Sequence, residues 1–216
     1  MIRQAAGFAK QAHEGKMRKG TAVPYIVHPM DTGVIVSRMT DDPEVISAAL
    51  LHDVIEDAGV TKEELEERFG SRVAELVAAE SEDKTRTWKE RKQATIDRLT
   101  DAGRDVKMIC LADKLSNLRS TAADYLLKGD EVWKKFRVTD KREHEWYYRG
   151  VFAKLSELSG ESAYGEYREL MEMLFGQKEN SKKEEKGNKL YVLDQDEKKD
   201  FCPGGGCFLG GRNGKL

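Results

Sequence analysis

An all-α fold is predicted by three observations. Apolar residues over 1–176 recur at helical spacing, helix-capping and helix-stopping residues punctuate them, and no alternating β-branched run of useful length interrupts them. In the first segment Ala5, Phe8, Ala9 and Ala12 form one stripe. Asp42 before Pro43 reads as an N-cap with proline at the first helical position, opening a helix that runs to about Asp57. Thr61-Lys62-Glu63-Glu64 has the form of a capping box, and Gly70 stops that short helix after Phe69. Ser71 is expected to cap another, with Val73, Leu76 and Val77 inward. Further helical segments are expected over 89–100, 105–126, 130–157 and 161–175.

Composition changes after Gly176. A polar run, Gln177 to Lys186, leads to the short island Leu190-Tyr191-Val192-Leu193 and then to a glycine-rich end. Such a tract buries too little apolar area to offset its ordering entropy. The division predicted is therefore a domain over 1–176 and a low-complexity, flexible tail over 177–216. Cys202 and Cys207 are a weak metal pair, since two thiols with no further donor nearby fall short of a ligand set.

Charge sets the next bounds. Lys+Arg 37 against Asp+Glu 39 leaves a formal net charge of -2, which gives no general electrostatic reason to bind nucleic acid or an anionic membrane. A local basic pocket for a small phosphorylated ligand stays open. No run of about 18 apolar residues is present, so no membrane span is expected. The N-terminus lacks the apolar stretch of a secretory signal, and three scattered cysteines make no disulfide framework. A cytoplasmic protein with free thiols is the expectation.

Ionisable residues concentrate in three places. His52 is followed by Asp53, and one turn later come Glu56 and Asp57. At about 100° per residue from His52, Glu56 falls near 40°, Asp53 near 100° and Asp57 near 140°, so the four share one side of a helix. Leu51, Val54 and Ile55 fall on the other. A lone His-Asp doublet is usually a solvated or hydrogen-bonded face. Carboxylates packed this closely repel, however, unless a cation compensates them or one takes a proton.

Around Asp113, Leu111, Leu115 and Leu118 form one stripe, and Asp113, Ser116, Asn117 and Ser120 the opposite one. A carboxylate following the apolar run Met108 to Ala112 needs a partner, a metal in one reading and a cap or an ion pair with a neighbouring arginine in the other. The third place is Arg18-Lys19, in a Gly/Pro-punctuated loop that leads to His28-Pro29. Arginine offers a bidentate fork to phosphate and lysine a point charge, although such a pair is often plain surface. A turn before a helix-starting proline is expected to fix His28.

The order of these pieces resembles the HD-domain hydrolases of the RelA/SpoT alarmone family. It is carried by Phe8-Ala9, Ala12-His13, Arg18-Lys19, Pro24 to Pro29, Ala48 to Asp57, Phe69-Gly70 and Leu111 to Arg119. The stretch Glu82-Asp83-Lys84-Thr85 with Trp88 to Lys92 is similar to the stand-alone small alarmone hydrolases. The resemblance covers roughly residues 3–175. It implies an all-α HD fold and one divalent metal, usually manganese, with zinc or iron not excluded. Its ligands would be His28, His52, Asp53 and Asp113. Glu56 and Asp57 would position and activate water, Arg18 and Lys19 would meet the nucleotide's phosphates, and Asn117 and Ser120 would face its ribose and phosphate side. The implied reaction removes the 3′-pyrophosphate of guanosine tetra- or pentaphosphate, giving GDP or GTP plus pyrophosphate, with no synthetase domain.

Three departures accompany the resemblance. The loop between Lys19 and Pro24 is one residue longer than the usual pattern, and Ala58-Gly59 follows the acidic pair where the family has threonine. Ser116 stands where the family commonly has a histidine or an aromatic residue, which is expected to alter the base or sugar contact. Two other readings stay open: an HD phosphohydrolase acting on NADPH, a nucleoside monophosphate or a dNTP, and a non-catalytic binding module. The oligomeric state is not legible. His13 is expected to make a structural hydrogen bond. His144 is expected on a solvated or a packing face, Trp146, Tyr147 and Tyr148 are expected to pack, with an aromatic free to stack on a base, and Cys110 to be inert core.

Overall fold

The computed structural model describes residues 1–176. The expected flexible tail over 177–216, with Cys202 and Cys207, lies outside the described residues. Ten α-helices follow in order: α1 (Ile2–Ala12), α2 (Val27–Val36), α3 (Pro43–Leu51), α4 (Val54–Ala58), α5 (Lys62–Phe69), α6 (Ser71–Glu80), α7 (Trp88–Arg98), α8 (Arg104–Lys128), α9 (Lys141–Lys154) and α10 (Ser162–Phe175). Short 3-10 segments over Gly129–Lys135 and Ser156–Leu158 flank α9. No strand occurs among the described residues, and a single isolated bridge pairs Met17 with Pro24. The all-α expectation therefore holds.

Several boundaries differ from the expected ones. The helix expected from Pro43 to about Asp57 is two, because the chain breaks at His52-Asp53. The Ala49 carbonyl, which a continuous helix would pair with the Asp53 amide, is instead met by His52 Nδ1 at 2.8 Å. The ionisable group therefore comes together across a break rather than along one helix face. Ser71 is the first residue of α6 and not its cap. Gly70, at φ 91°, ends α5 and opens α6 in one step. His28 lies inside the first turn of α2, where the missing N–H of Pro29 costs nothing. The helix expected over 130–157 is a 3-10 segment, an extended turn at Phe136 and then α9, which Asp140 caps through the Arg142 amide at 2.9 Å. Ahead of α7, Thr87 and Glu90 form a reciprocal capping box.

The core is built around α8, whose Ile109, Cys110, Leu111, Ala112, Leu115 and Leu118 are fully buried. It packs against α2, α3, α6 and α10. Two glycines bring helices unusually close. A Cβ on Gly33 of α2 would lie 2.6 Å from Leu50 Cδ2 on α3, inside any tolerable contact. A Cβ on Gly150 of α9 would lie 2.5 Å from Ile96 Cδ1 on α7. The first approach sets His28 against His52, and the second sets Tyr147 against Lys92, whose Nζ is 5.0 Å from that ring's centre.

Candidate active site

Two cavities meet at the middle of α8. His28, His52, Asp53, Glu56, Asp57 and Asp113 help to line the first. His28 and His52 direct their Nε2 atoms at one another, 3.2 Å apart. Asp113 Oδ1 is 3.2 Å from His28 Nε2 and 3.8 Å from His52 Nε2. Asp53 Oδ2 lies 3.5 Å from the first ring and 3.0 Å from the second. His28, His52 and Asp113 are all buried, and one donor atom from each lies within 4.8 Å of the other two.

The surroundings orient these groups. His52 Nδ1 donates its proton to the Ala49 carbonyl, which aims Nε2 into the cavity. His28 Nδ1 is hydrogen-bonded to Ser116 Oγ at 2.9 Å. Ser116 is buried against the imidazole and sets the ring's angle, a task its place as a departure from the family pattern does not announce. Tyr25 donates to Asp53 Oδ2 at 2.5 Å, and Asn117 Nδ2 donates to Asp113 Oδ1 at 2.7 Å. Lys114 Nζ pairs with the other Asp113 oxygen.

Charge balance follows from the packing. Burial pushes Asp113 up, but Lys114 and the two imidazoles outweigh it and hold the carboxyl below its ordinary range. For His52, burial acts downward, yet the Asp53 charge and hydrogen bond dominate and push it up to about 9. Converging imidazole nitrogens and carboxylates with oriented outer nitrogens suit a divalent cation bound by nitrogen and oxygen, which would displace the Nε2 proton of His52.

Glu56 and Asp57, on α4, rim the same cavity. Burial, then the Glu82 and Asp53 charges, raises Glu56 above its ordinary value. Lys84 reaches both carboxylates, at 3.7 Å from Glu56 Oε1 and 3.0 Å from Asp57 Oδ1.

The second cavity is cationic and aromatic. Arg18, Lys19, Asn117 and Ser120 line it. Arg18 Nη2 donates to Asn117 Oδ1 at 3.1 Å, which ties the basic loop through Asn117 to Asp113. Lys19 sits 5.9 Å from the Phe136 ring centre. Trp88, Lys92, Lys114, Lys135, Phe136 and His144 complete much of the wall, and sequence reasoning gave none of them a binding role. Lys92 lies within the Trp88 to Lys92 motif and Lys114 beside Asp113, but nothing in their spacing shows that they share a cavity. Tyr147 and Tyr148 pack and also face this cavity, while Cys110 is core as expected. His13 is buried, but neither ring nitrogen has a hydrogen-bond partner among the described residues, contrary to expectation. Burial lowers its pKa, and the neutral ring packs 4.9 Å from Tyr25.

An all-α domain that converges two imidazoles and an aspartate beside a polar cleft belongs to the class of helical metal-site proteins. The HD-domain pattern matches residues 5–137, and the chain belongs to the HD-domain family. It is similar to the Xenopus tropicalis guanosine-3′,5′-bis(diphosphate) 3′-pyrophosphohydrolase MESH1, at 37% identity over 65% of this chain and 78% of that one. The Vibrio cholerae protein of the same enzyme name is 35% identical over 84% of this chain, which spans only 27% of that longer protein. Among solved structures, a metazoan ortholog of SpoT described as hydrolysing ppGpp superposes with a TM-score of 0.69 at 27% identity, covering 80% of this chain and 94% of that one. A Listeria monocytogenes EGD-e protein superposes at 0.64 with 33% identity, covering 69% of this chain and 99% of that one.

Proposed function

We propose that this chain hydrolyses the 3′-pyrophosphate of guanosine tetra- or pentaphosphate, giving GDP or GTP and pyrophosphate, and so serves in the stringent response. The observation that carries the reading is the junction of the two cavities. A carboxylate-rimmed cation site opens onto a cationic, aromatic wall, as a phosphorylated nucleotide requires. The names of the relatives support it.

In this reading His28, His52, Asp53 and Asp113 hold one divalent ion, manganese by preference. That ion, when bound, supplies Lewis-acid charge and makes water more acidic. Glu56 takes the proton of the attacking water, and its raised pKa suits a base at neutral pH. Asp57 orients that water. Arg18 and Lys19 neutralise the substrate's phosphates, while Asn117 and Ser120 bind on the ribose side. Residues 1–176 carry the activity, and the protein works in the cytoplasm as a small-molecule hydrolase, with no nucleic acid or membrane partner. No described helix is long and apolar enough to cross a membrane.

The test is product analysis with purified protein and manganese, offering guanosine tetraphosphate, NADPH, a nucleoside monophosphate and a dNTP panel side by side. Release of GDP and pyrophosphate, lost in Asp113→Ala together with bound metal, is expected. Cleavage of another nucleotide alone would keep the HD chemistry and reject the alarmone. No cleavage with any divalent metal would favour a binding module.

A further inference from the structure

Tyr25, Lys92, Lys114 and Asn117 line both cavities. In a reaction that parts a pyrophosphate from a ribose 3′-oxygen, the bond that breaks spans this junction. A water oxygen bonds to phosphorus and gives its proton to Glu56. The P–O3′ bond breaks with its electron pair staying on the ribose oxygen, and a proton must reach that oxygen.

Of the four shared residues, Asn117 has no acidic proton to give, Tyr25 spends its hydroxyl on Asp53, and Lys114 is held by Asp113, a member of the proposed ligand set, whereas the carboxylate that holds Lys92, Glu82, lies outside that set. We propose that Lys92 is the general acid that protonates the leaving 3′-oxygen. Its Nζ is anchored to Glu82 at 2.7 Å and its side chain is only 18% exposed. The other groups around it are Lys114 and Asp113 on α8 and Tyr147 and His144 on α9. Burial and the Lys114 charge lower its pKa, which makes it a better proton donor than an ordinary lysine. After transfer the neutral amine is reprotonated from solvent, and Glu56 releases its proton, so the sum is addition of one water.

This inference rests on the proposed reaction class, and its test separates the two. Full-length, manganese-loaded wild type, Lys92→Met and Lys92→Arg are compared on the nucleotide that the wild type cleaves and on its 3′-bridging-sulfur analogue, whose thiolate leaves without a proton. Lys92→Met is expected to lower kcat on the oxygen substrate by roughly 10²–10³-fold and on the sulfur analogue by less than about 5-fold, with metal content unchanged. Lys92→Arg retains the charge but is too weak an acid, so it stays slow on oxygen and loses the alkaline limb of the wild-type pH profile. Equal losses on both substrates, or a change in KM alone, would overturn the assignment. Should Lys92→Met not fold, Lys92→Arg gives the same comparison. Failure of the alarmone reading looks different, since wild type then cleaves another nucleotide and the oxygen-to-sulfur contrast is measured there.

Discussion

The two cavities that meet on α8 are built in opposite ways. The carboxylate-lined one takes His52, Asp53, Glu56 and Asp57 from six consecutive positions, and adds His28 and Asp113 from two helices that flank them. The cationic one collects side chains from the loop after α1, from α7, α8, α9 and the 3-10 segment. Carboxylates predominate in the first and cations in the second, Lys92 and Lys114 face both, and Asn117 bridges them by donating to Asp113 while accepting from Arg18. The contrast suggests a division of labour in which one side activates and the other holds.

The largest expected effect tests the activating side. Glu56→Gln should lower kcat by roughly 10²–10³-fold while metal content, measured by elemental analysis, stays at the wild-type level. Loss of metal along with activity would merge the base with the ligand set. On the holding side, Arg18→Ala should raise KM by roughly tenfold, the loss of one charge-assisted hydrogen bond, with a smaller change in kcat. Steady-state kinetics decide it, and a collapse of kcat at constant KM would move Arg18 into the reacting half.

The smallest effect concerns Glu80, a buried carboxyl at the edge of the first cavity whose Oε1 has no partner among the described residues. Burial raises its pKa above 4.5 despite the nearby Lys114 and Arg98 charges. The folded chain thus holds this proton more tightly than the unfolded chain does. Its contribution to stability is full below about pH 4.5 and is lost as pH rises through the raised value. Glu80→Gln, permanently neutral, should therefore gain on the order of 1 kcal/mol at pH 7.5, with the gain vanishing below about pH 4. Urea melts at the two pH values measure it. A destabilised variant at neutral pH would mean that the carboxylate is charged and compensated.

The same contrast explains what could be read in advance. Residues one helical turn apart meet whatever the tertiary fold does, so the acidic cluster at His52 and the two stripes of α8 were legible from spacing. The His52-Asp53 break was not, because a side chain competing for the Ala49 carbonyl leaves no trace in apolar periodicity. Lys92, Lys135 and His144 were invisible as wall residues for a different reason. They lie in separate elements, and only the packing of α9 on α7 and of the 3-10 segment on α8 places them around one space. Ser116 stands out in the sequence as a departure, but its hydrogen bond to His28 is not legible there, since their distance depends on how α2 crosses α8.

Gly33 carries a consequence for accuracy. Metal donors serve only when placed within about half an ångström of their working positions, a tolerance finer than the play between most packed helices. With no side chain at Gly33, α2 comes to rest against Leu50 itself, and the steep wall of van der Waals repulsion becomes the gauge that spaces the two imidazoles. A single added methyl would act as a shim under one jaw of a vice, changing the gap between the jaws without touching either of them.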